Sequence, residues 1–347
     1  MALTNADYFC DSYDWYAAAN ASYKYNGGGT FNSMISGAAP TTRYSYGQAA
    51  NQVGSSGPVH NWAADKEYLI CGFASYQASP GANLLAFESI LGGASRLTLK
   101  TTSGGILKLD GDSGLGTLAT SLGGIYTAST WHHIGLGIRV ADATAGSVYL
   151  WRNSELVASA TGIDTRAIAA RSIGSFFYNG SALYDDLWIV RGDGFSLSSL
   201  EEEWEEIGDI RFTRYMPPSD GDDSDGAPSS GGDNFEMVNE IPTDSSDYNT
   251  LSTVGDRDLF PMGSLDASVG AIKFLQATTV AMRAPSSGTP QTFKNVLKSG
   301  SLQYGVSHSL ADTEKAFFDT WVVNPFTGLP FGKTAVEAMQ RGYEKTA

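Results

Sequence analysis

Basic side chains are scarce in this chain. Its 347 residues carry 22 Lys and Arg against 37 Asp and Glu, a formal net charge of −15. Contact with a phosphate backbone needs clustered Lys and Arg. No such cluster occurs, so no nucleic-acid partner is expected, and the negative field argues against anionic membranes. Long apolar runs are missing too. Nothing approaches the roughly 18 consecutive apolar residues of a membrane helix, so no membrane insertion is expected. The opening stretch, MALTNADYFCDSYDWY, lacks a basic region followed by an apolar one, so no secretory signal is expected. Cysteine is limited to Cys10 and Cys71, with neither CxxC spacing nor a histidine at metal-like distance. They are expected as free, packed thiols; a disulfide is the alternative.

Catalytic signatures are also absent. There is no G-x-S-x-G elbow and no phosphate-binding loop. Paired-carboxylate glycan cleavage would place both acids on one strand face, as in E-x-D-x-x-E, and no such pattern occurs. The run EEEWEE (201–206) belongs to a helical stretch, and GDSGLG (111–116) is a turn. No enzyme activity is expected.

Glycine and aromatics are what the chain has in quantity: 40 Gly, 17 Tyr and 16 Phe. Glycine thus exceeds its ordinary share of about 7%. Aromatics suit a pleated, half-buried surface and Gly supplies tight turns, so many short strands are expected. The stretches 67–77, 95–109, 131–140, 146–161 and 183–190 are apolar in alternation or continuously, and Gly, Asn, Asp and Ser clusters separate them. This spacing predicts a two-sheet antiparallel sandwich. In SVYLWRNSELVA, Val148, Leu150 and Arg152 face one way and Tyr149 and Trp151 the other, with RNSE (152–155) as a hairpin turn. A short helix is expected over 196–210, where Leu200, Trp204 and Ile207 recur at helical spacing and Gly208 ends it.

The stretch YMPPSDGDDSDGAPSSGGDNF (215–235) then interrupts the pattern, and no Lys or Arg occurs from Tyr215 to Asp256. The expected organisation is a sandwich over 1–208, a linker or surface loop over 209–234, and a second β-rich domain over 235–347. Strands are expected at 271–285, 292–310 and 317–325, with a closing helix at 333–344.

Three stretches carry candidate chemistry. In STWHHIGLGIR, His132 and His133 are adjacent on a strand and so point to opposite faces. One ion cannot easily take both, and zinc wants three or four convergent ligands. Trp131 is expected to plug one end of the core, with structural histidines beside it. In YDDLW, Asp185 and Asp186 are adjacent, and one is expected to turn inward and accept backbone N–H groups. DGDDSDG (220–226) starts like a calcium loop but fails in register, since Gly221 and Gly232 fall where Asp and Glu are needed.

STWHHIGLGIRVADATAGSVYLWRNSELVASATG resembles the core of the concanavalin A-like (laminin-G, pentraxin) jelly roll, with RNS at the place of that family's hairpin DG. YDDLWIVRGDGFSLSSLEEEW is similar to its closing strand and short helix. The resemblance implies an all-β jelly-roll sandwich and, through pentraxin-like relatives, possible Ca²⁺ at the Asp185–Asp186 pair; no other cofactor is expected. YDDLWIV together with GDIRFTRYMPPSDGDDSDGAP and the closing TWVVNPFTGLPFGKTAVEAMQRGYE resembles a tailed-bacteriophage structural protein. Trp321 begins the closing motif, and Phe331 stands where Trp is more usual. This implies a virion protein of tail, neck or head surface, assembled in the host cytoplasm as a homo-oligomer among other virion proteins. Contact with host surface glycan would use exposed aromatics, for which Trp15, Tyr16, Tyr23 and Tyr25, with Tyr13, are the candidates. A soluble lectin is the alternative, and a glycan hydrolase the further one.

Overall fold

The computed structural model describes residues 7–11, 33–36, 48–52, 59–89, 96–112, 114–142, 144–166, 173–193, 200, 202, 204–205, 208–239, 245–284 and 290–347. The chain forms two compact units, Leu3–Phe212 and Thr213–Ala347.

The first unit is all-β. Its strands are β1 (Asp7–Asp11), β2 (Ser33–Ser36), β3 (Gln48–Gln52), β4 (Val59–Lys66), β5 (Tyr68–Tyr76), β6 (Asn83–Glu88) and β7 (Arg96–Thr101). There follow β8 (Leu107–Gly111), β9 (Gly116–Thr120), β10 (Trp131–Arg139), β11 (Gly146–Arg152), β12 (Glu155–Ile163), β13 (Ile173–Tyr178) and β14 (Ala182–Gly192). One sheet has the order β12-β11-β10-β5-β14-β3-β2, with β1 also on β14; the other runs β4-β13-β6-β7-β8-β9. All described pairings are antiparallel, and the inward residues of both sheets form one core, as a jelly-roll sandwich requires. Ile134, Leu136 and Ile138 of β10 lie opposite Phe73, Cys71 and Leu69 of β5 in that core. The RNSE turn is as expected: Asn153 and Ser154 both have positive φ (48° and 68°), the geometry of a two-residue hairpin. Cys10 and Cys71 are both buried thiols.

Aromatic rings cover the opposite face of the larger sheet. Trp204, in the helical segment near residue 200, stacks on Trp151 (centroids 4.8 Å apart), Trp188 (5.7 Å) and His133 (5.4 Å). The floor beneath is glycine. A Cβ at Gly135 would lie 2.3 Å from the Trp204 ring, and one at Gly72 would lie 2.5 Å from Trp188.

The second unit contains β15 (Ala227–Pro228), a 3-10 turn (Asn234–Val238), β16 (Asn249–Thr250), β17 (Arg257–Pro261), β18 (Leu275–Ala281), β19 (Thr292–Ser299) and β20 (Leu302–Ser309). It closes with β21 (Lys315–Trp321), the helix α1 (Lys333–Glu337) and β22 (Met339–Lys345). A four-stranded sheet has the order β17-β22-β19-β20, while β18 pairs with β21. A buried polar chain ties these two sheets. Thr279 Oγ1 donates to Asn295 Oδ1 (2.6 Å), Asn295 Nδ2 donates to Asp319 Oδ2 (2.5 Å), and His308 Nε2 lies 2.8 Å from the same oxygen.

Two expectations change here. The closing helix ends at Glu337, not 344, and the remainder is β22, a central strand paired on both sides. Val336 and Met339 are both buried at helical spacing, but they reach the core from a helix and then a strand. Gly342 marks the change: a Cβ there would sit 1.8 Å from the Asp258 carbonyl oxygen. The acidic segment expected as a solvated linker or loop instead packs along β17 within the second unit. Asp220 accepts the N–H groups of Asn234 (3.3 Å) and Phe235 (2.7 Å), and Asp222 pairs with Lys298 (2.6 Å). Asp223 pairs with Arg257 (2.9 Å), and Asp225 accepts the Arg257 N–H (3.1 Å).

Candidate functional site

The outward face of the six-stranded sheet gathers the first unit's unusual chemistry. In RLTLKT (β7), Leu97 and Leu99 enter the core, so Arg96, Thr98 and Lys100 point away from it. In LKLDG (β8), Leu107 and Leu109 point inward and Lys108 and Asp110 outward. The register sets Lys100 directly opposite Lys108, and Thr98 opposite Asp110. Like charges directly opposite one another destabilise a sheet. A single carboxylate serves both: Asp110 pairs with Lys100, and its Oδ1 lies 3.4 Å from Lys108 Nζ. Thr117 of β9 also donates to Asp110 (2.8 Å). Burial pushes the Asp110 carboxyl up, but the bonds from Lys100 and Thr117 and the charge of both lysines outweigh this and hold it below its ordinary value. Beside them Arg96 donates to Glu88 (2.6 Å), and its guanidinium lies over the Phe177 ring, 4.7 Å from the centroid. Three cations and two carboxylates thus share one sheet face, a local excess of positive charge in a chain of net charge −15. All five are partly exposed. Such a face can hold a flat, hydroxylated, anionic ligand through charge-assisted hydrogen bonds.

Sequence reasoning misses this face, although period-2 alternation in RLTLKT and LKLDG is a signal for it. The leucines define the core side, and the intervening polar residues define the opposite surface.

The sequence-expected residues are dispersed. His132 points inward, its ring 4.4 Å from that of Tyr126, and His133 points outward beneath Trp204. They therefore share no site. Trp131 does not plug the core, because strand alternation turns it outward, half-buried against Tyr76 (5.7 Å). The residue that enters the sandwich is His132. Asp185 pairs with Ala74 of β5, and the next two residues, Asp186 and Leu187, form a β-bulge in which they together oppose Phe73 alone. Asp186 has φ of 52° there, a conformation that Asp tolerates better than most side chains. Its Oδ1 accepts the Phe212 N–H (2.7 Å), and Asp185 Oδ1 accepts the Asp186 N–H (2.9 Å), so both carboxylates accept backbone N–H groups where one is expected to, but the side chains that turn into the core are their neighbours Tyr184 and Leu187. Among the described residues, no three His, Cys, Asp or Glu side chains converge to hold a cation. Trp321 lies with Phe331 in the second unit's core. Between them the NPFTG turn closes on Asn324, whose carbonyl accepts the N–H groups of Thr327 (3.2 Å) and Gly328 (2.8 Å). Trp15, Tyr16, Tyr23 and Tyr25, with Tyr13, lie outside the described residues.

His132 makes a pH prediction. Its Nε2 accepts the Thr127 N–H (3.0 Å), its Nδ1 has no partner among the described residues, and burial lowers its pKa. The unfolded chain therefore binds the extra proton first, and folding stability falls as pH drops below about 6.5. Denaturant unfolding at stepped pH should show this loss. A His132→Gln variant should show a smaller one, and equal slopes for both proteins would refute the assignment.

No family model matches this chain, and no characterised protein sequence matches it. Some solved structures are similar to it. Alginate lyase Aly36B covers 53% of this chain with 96% of its own length, at 14% identity and a TM-score of 0.36. The Ruminococcus gnavus IT-sialidase CBM40, bound to α2,3-sialyllactose, covers 45% with 95% of its length, at 11% identity and a TM-score of 0.32. Domain 4 of AbnA, a Geobacillus stearothermophilus GH43 arabinanase, in complex with arabinotriose, covers 50% with 81% of its length, at 17% identity and a TM-score of 0.34. At TM-scores of 0.32–0.36 these likenesses carry neither activity nor ligand over to this chain.

Proposed function

We propose that this chain is a non-enzymatic structural component of a tailed-phage virion whose first unit contacts host surface glycan through the outward face of its six-stranded sheet. The observation that carries the glycan contact is Lys100 facing Lys108 across β7 and β8 with Asp110 as their shared counter-ion. That arrangement costs the empty sheet stability and favours an incoming anion. The virion assignment rests on the sequence resemblance. Purified full-length chain, presented to immobilised acidic and neutral polysaccharides, should prefer the acidic ones and release them as salt rises. Lys100→Gln together with Lys108→Gln should weaken the binding by about tenfold or more, with folding intact. Absence of binding, or binding indifferent to both substitutions, would remove the glycan role. Immunogold labelling of intact particles decides the virion assignment separately, and unlabelled particles beside free protein in the lysate would favour a soluble lectin.

A further inference from the structure

The two edges of the four-stranded sheet are treated differently. The β17 edge is closed by the acidic segment. Gly221 N–H donates to Leu259 O (2.7 Å), Leu259 N–H to Asp223 O (2.9 Å) and Asp225 N–H to Arg257 O (3.0 Å). The β20 edge pairs only with β19 among the described residues. Exposed edges are ordinarily blunted by charge, proline, a bulge or a covering loop. LQYGVSHS (β20) contains no charged residue and no proline, and its register with β19 runs unbroken from Ser309 to Leu302. Leu302 and Tyr304 are exposed on it, at 58% and 46%.

We infer that β20 is the seat of self-association, where a second copy of this chain adds its own β20 antiparallel and joins two four-stranded sheets into one. Charge limits where two copies can meet. Two chains of net charge −15 repel, and a neutral strand is where their backbones can meet. Geometry permits the pairing. Leu310 N–H donates to Gln291 O (2.9 Å), so by antiparallel alternation the backbone groups of residues 302, 304, 306 and 308 face β19. Those of Gln303, Gly305, Ser307 and Ser309 face outward. A two-fold axis at Val306 pairs Gly305 with Ser307 and Gln303 with Ser309 of the other copy, matching free groups to free groups. It also sets Tyr304 opposite the other copy's His308, a ring already packed against Phe293 and Phe317. The inference is independent of glycan contact, which involves the other unit.

Sedimentation of the full chain over a concentration series tests it. The expected result is a reversible monomer–dimer equilibrium. Ser307→Pro removes an outward N–H and no β19 bond, so it should raise the dissociation constant by about tenfold or more while circular dichroism and melting are retained. Tyr304→Lys, at an exposed position, should do the same by adding charge, and it decides the matter if the proline variant fails to fold. A chain that stays monomeric at every concentration overturns the inference. So does an oligomer of any size that both folded variants leave unchanged.

Discussion

Replacing Asp258 by alanine is expected to destabilise the second unit by about 3–5 kcal/mol, the scale of removing one partner from a buried charged network. Asp258 is fully buried in β17. Its Oδ1 accepts the Gly226 N–H (2.8 Å) and Asn234 Nδ2 (2.8 Å), and its Oδ2 accepts the Tyr343 hydroxyl (3.1 Å). Alanine strands all three donors at once. Asp258→Asn keeps one acceptor oxygen and should cost about half as much. The pH dependence separates the two roles of the carboxylate. Burial raises the Asp258 pKa above its ordinary 3.8, so the native state takes up its proton first and this group's contribution to stability falls as pH rises through that window. The asparagine variant should lose that slope. Hydrogen exchange in β17 and β22 locates the effect, and an alanine variant within about 1 kcal/mol of the parent would contradict the network's importance.

Gly135→Val should be nearly as damaging to the first unit, at about 3 kcal/mol or more, because it denies Trp204 its place on the sheet. The Cβ alone would meet the indole at 2.3 Å, and Trp151, Trp188 and His133 fix the ring from its other sides. Trp204→Ala should cost a similar amount. The informative experiment is the pair together. Once the indole is gone, valine at position 135 has nothing to displace, so the double variant should be far more stable than the sum of the single losses predicts. Additive losses in denaturant unfolding would show that Gly135 is needed for some other reason.

The outline of the first unit is legible in the sequence because alternation survives wherever one face is wet. SVYLWRNSELVA and WHHIGLGIR carry their faces openly, and the structure sorts Val148 and Leu150 from Tyr149 and Trp151 as that alternation demands. The glycines of GLGI look like ordinary strand residues, and nothing local says that Trp204, some seventy positions away, needs Gly135 bare. The second unit is harder to read for a similar reason. AVEAMQRGYE has helical spacing up to Met339, and only pairing with β17 and β19 makes a strand of Met339–Lys345. Nor does DGDDSDG announce its cationic partners, since Arg257 and Lys298 lie on distant strands and a run of acids without neighbours looks solvated. The lysine face is hidden at the sequence level because register, which sets Lys100 opposite Lys108, is a property of two strands and not of either alone.

The bulge at Asp186 has a consequence for phase. Tyr184 and Leu187 both enter the core although they are three residues apart, an odd step that a regular strand would place on opposite sides. The extra residue resets the count, so that Leu187 and Ile189 stay inside while Trp188 lies over Gly72. It also divides the strand between neighbours, with β3 beside Ala182–Tyr184 and β1 beside Leu187–Arg191. What the position supplies is therefore length more than chemistry: one unit of spacing that lets a single strand keep time with two partners.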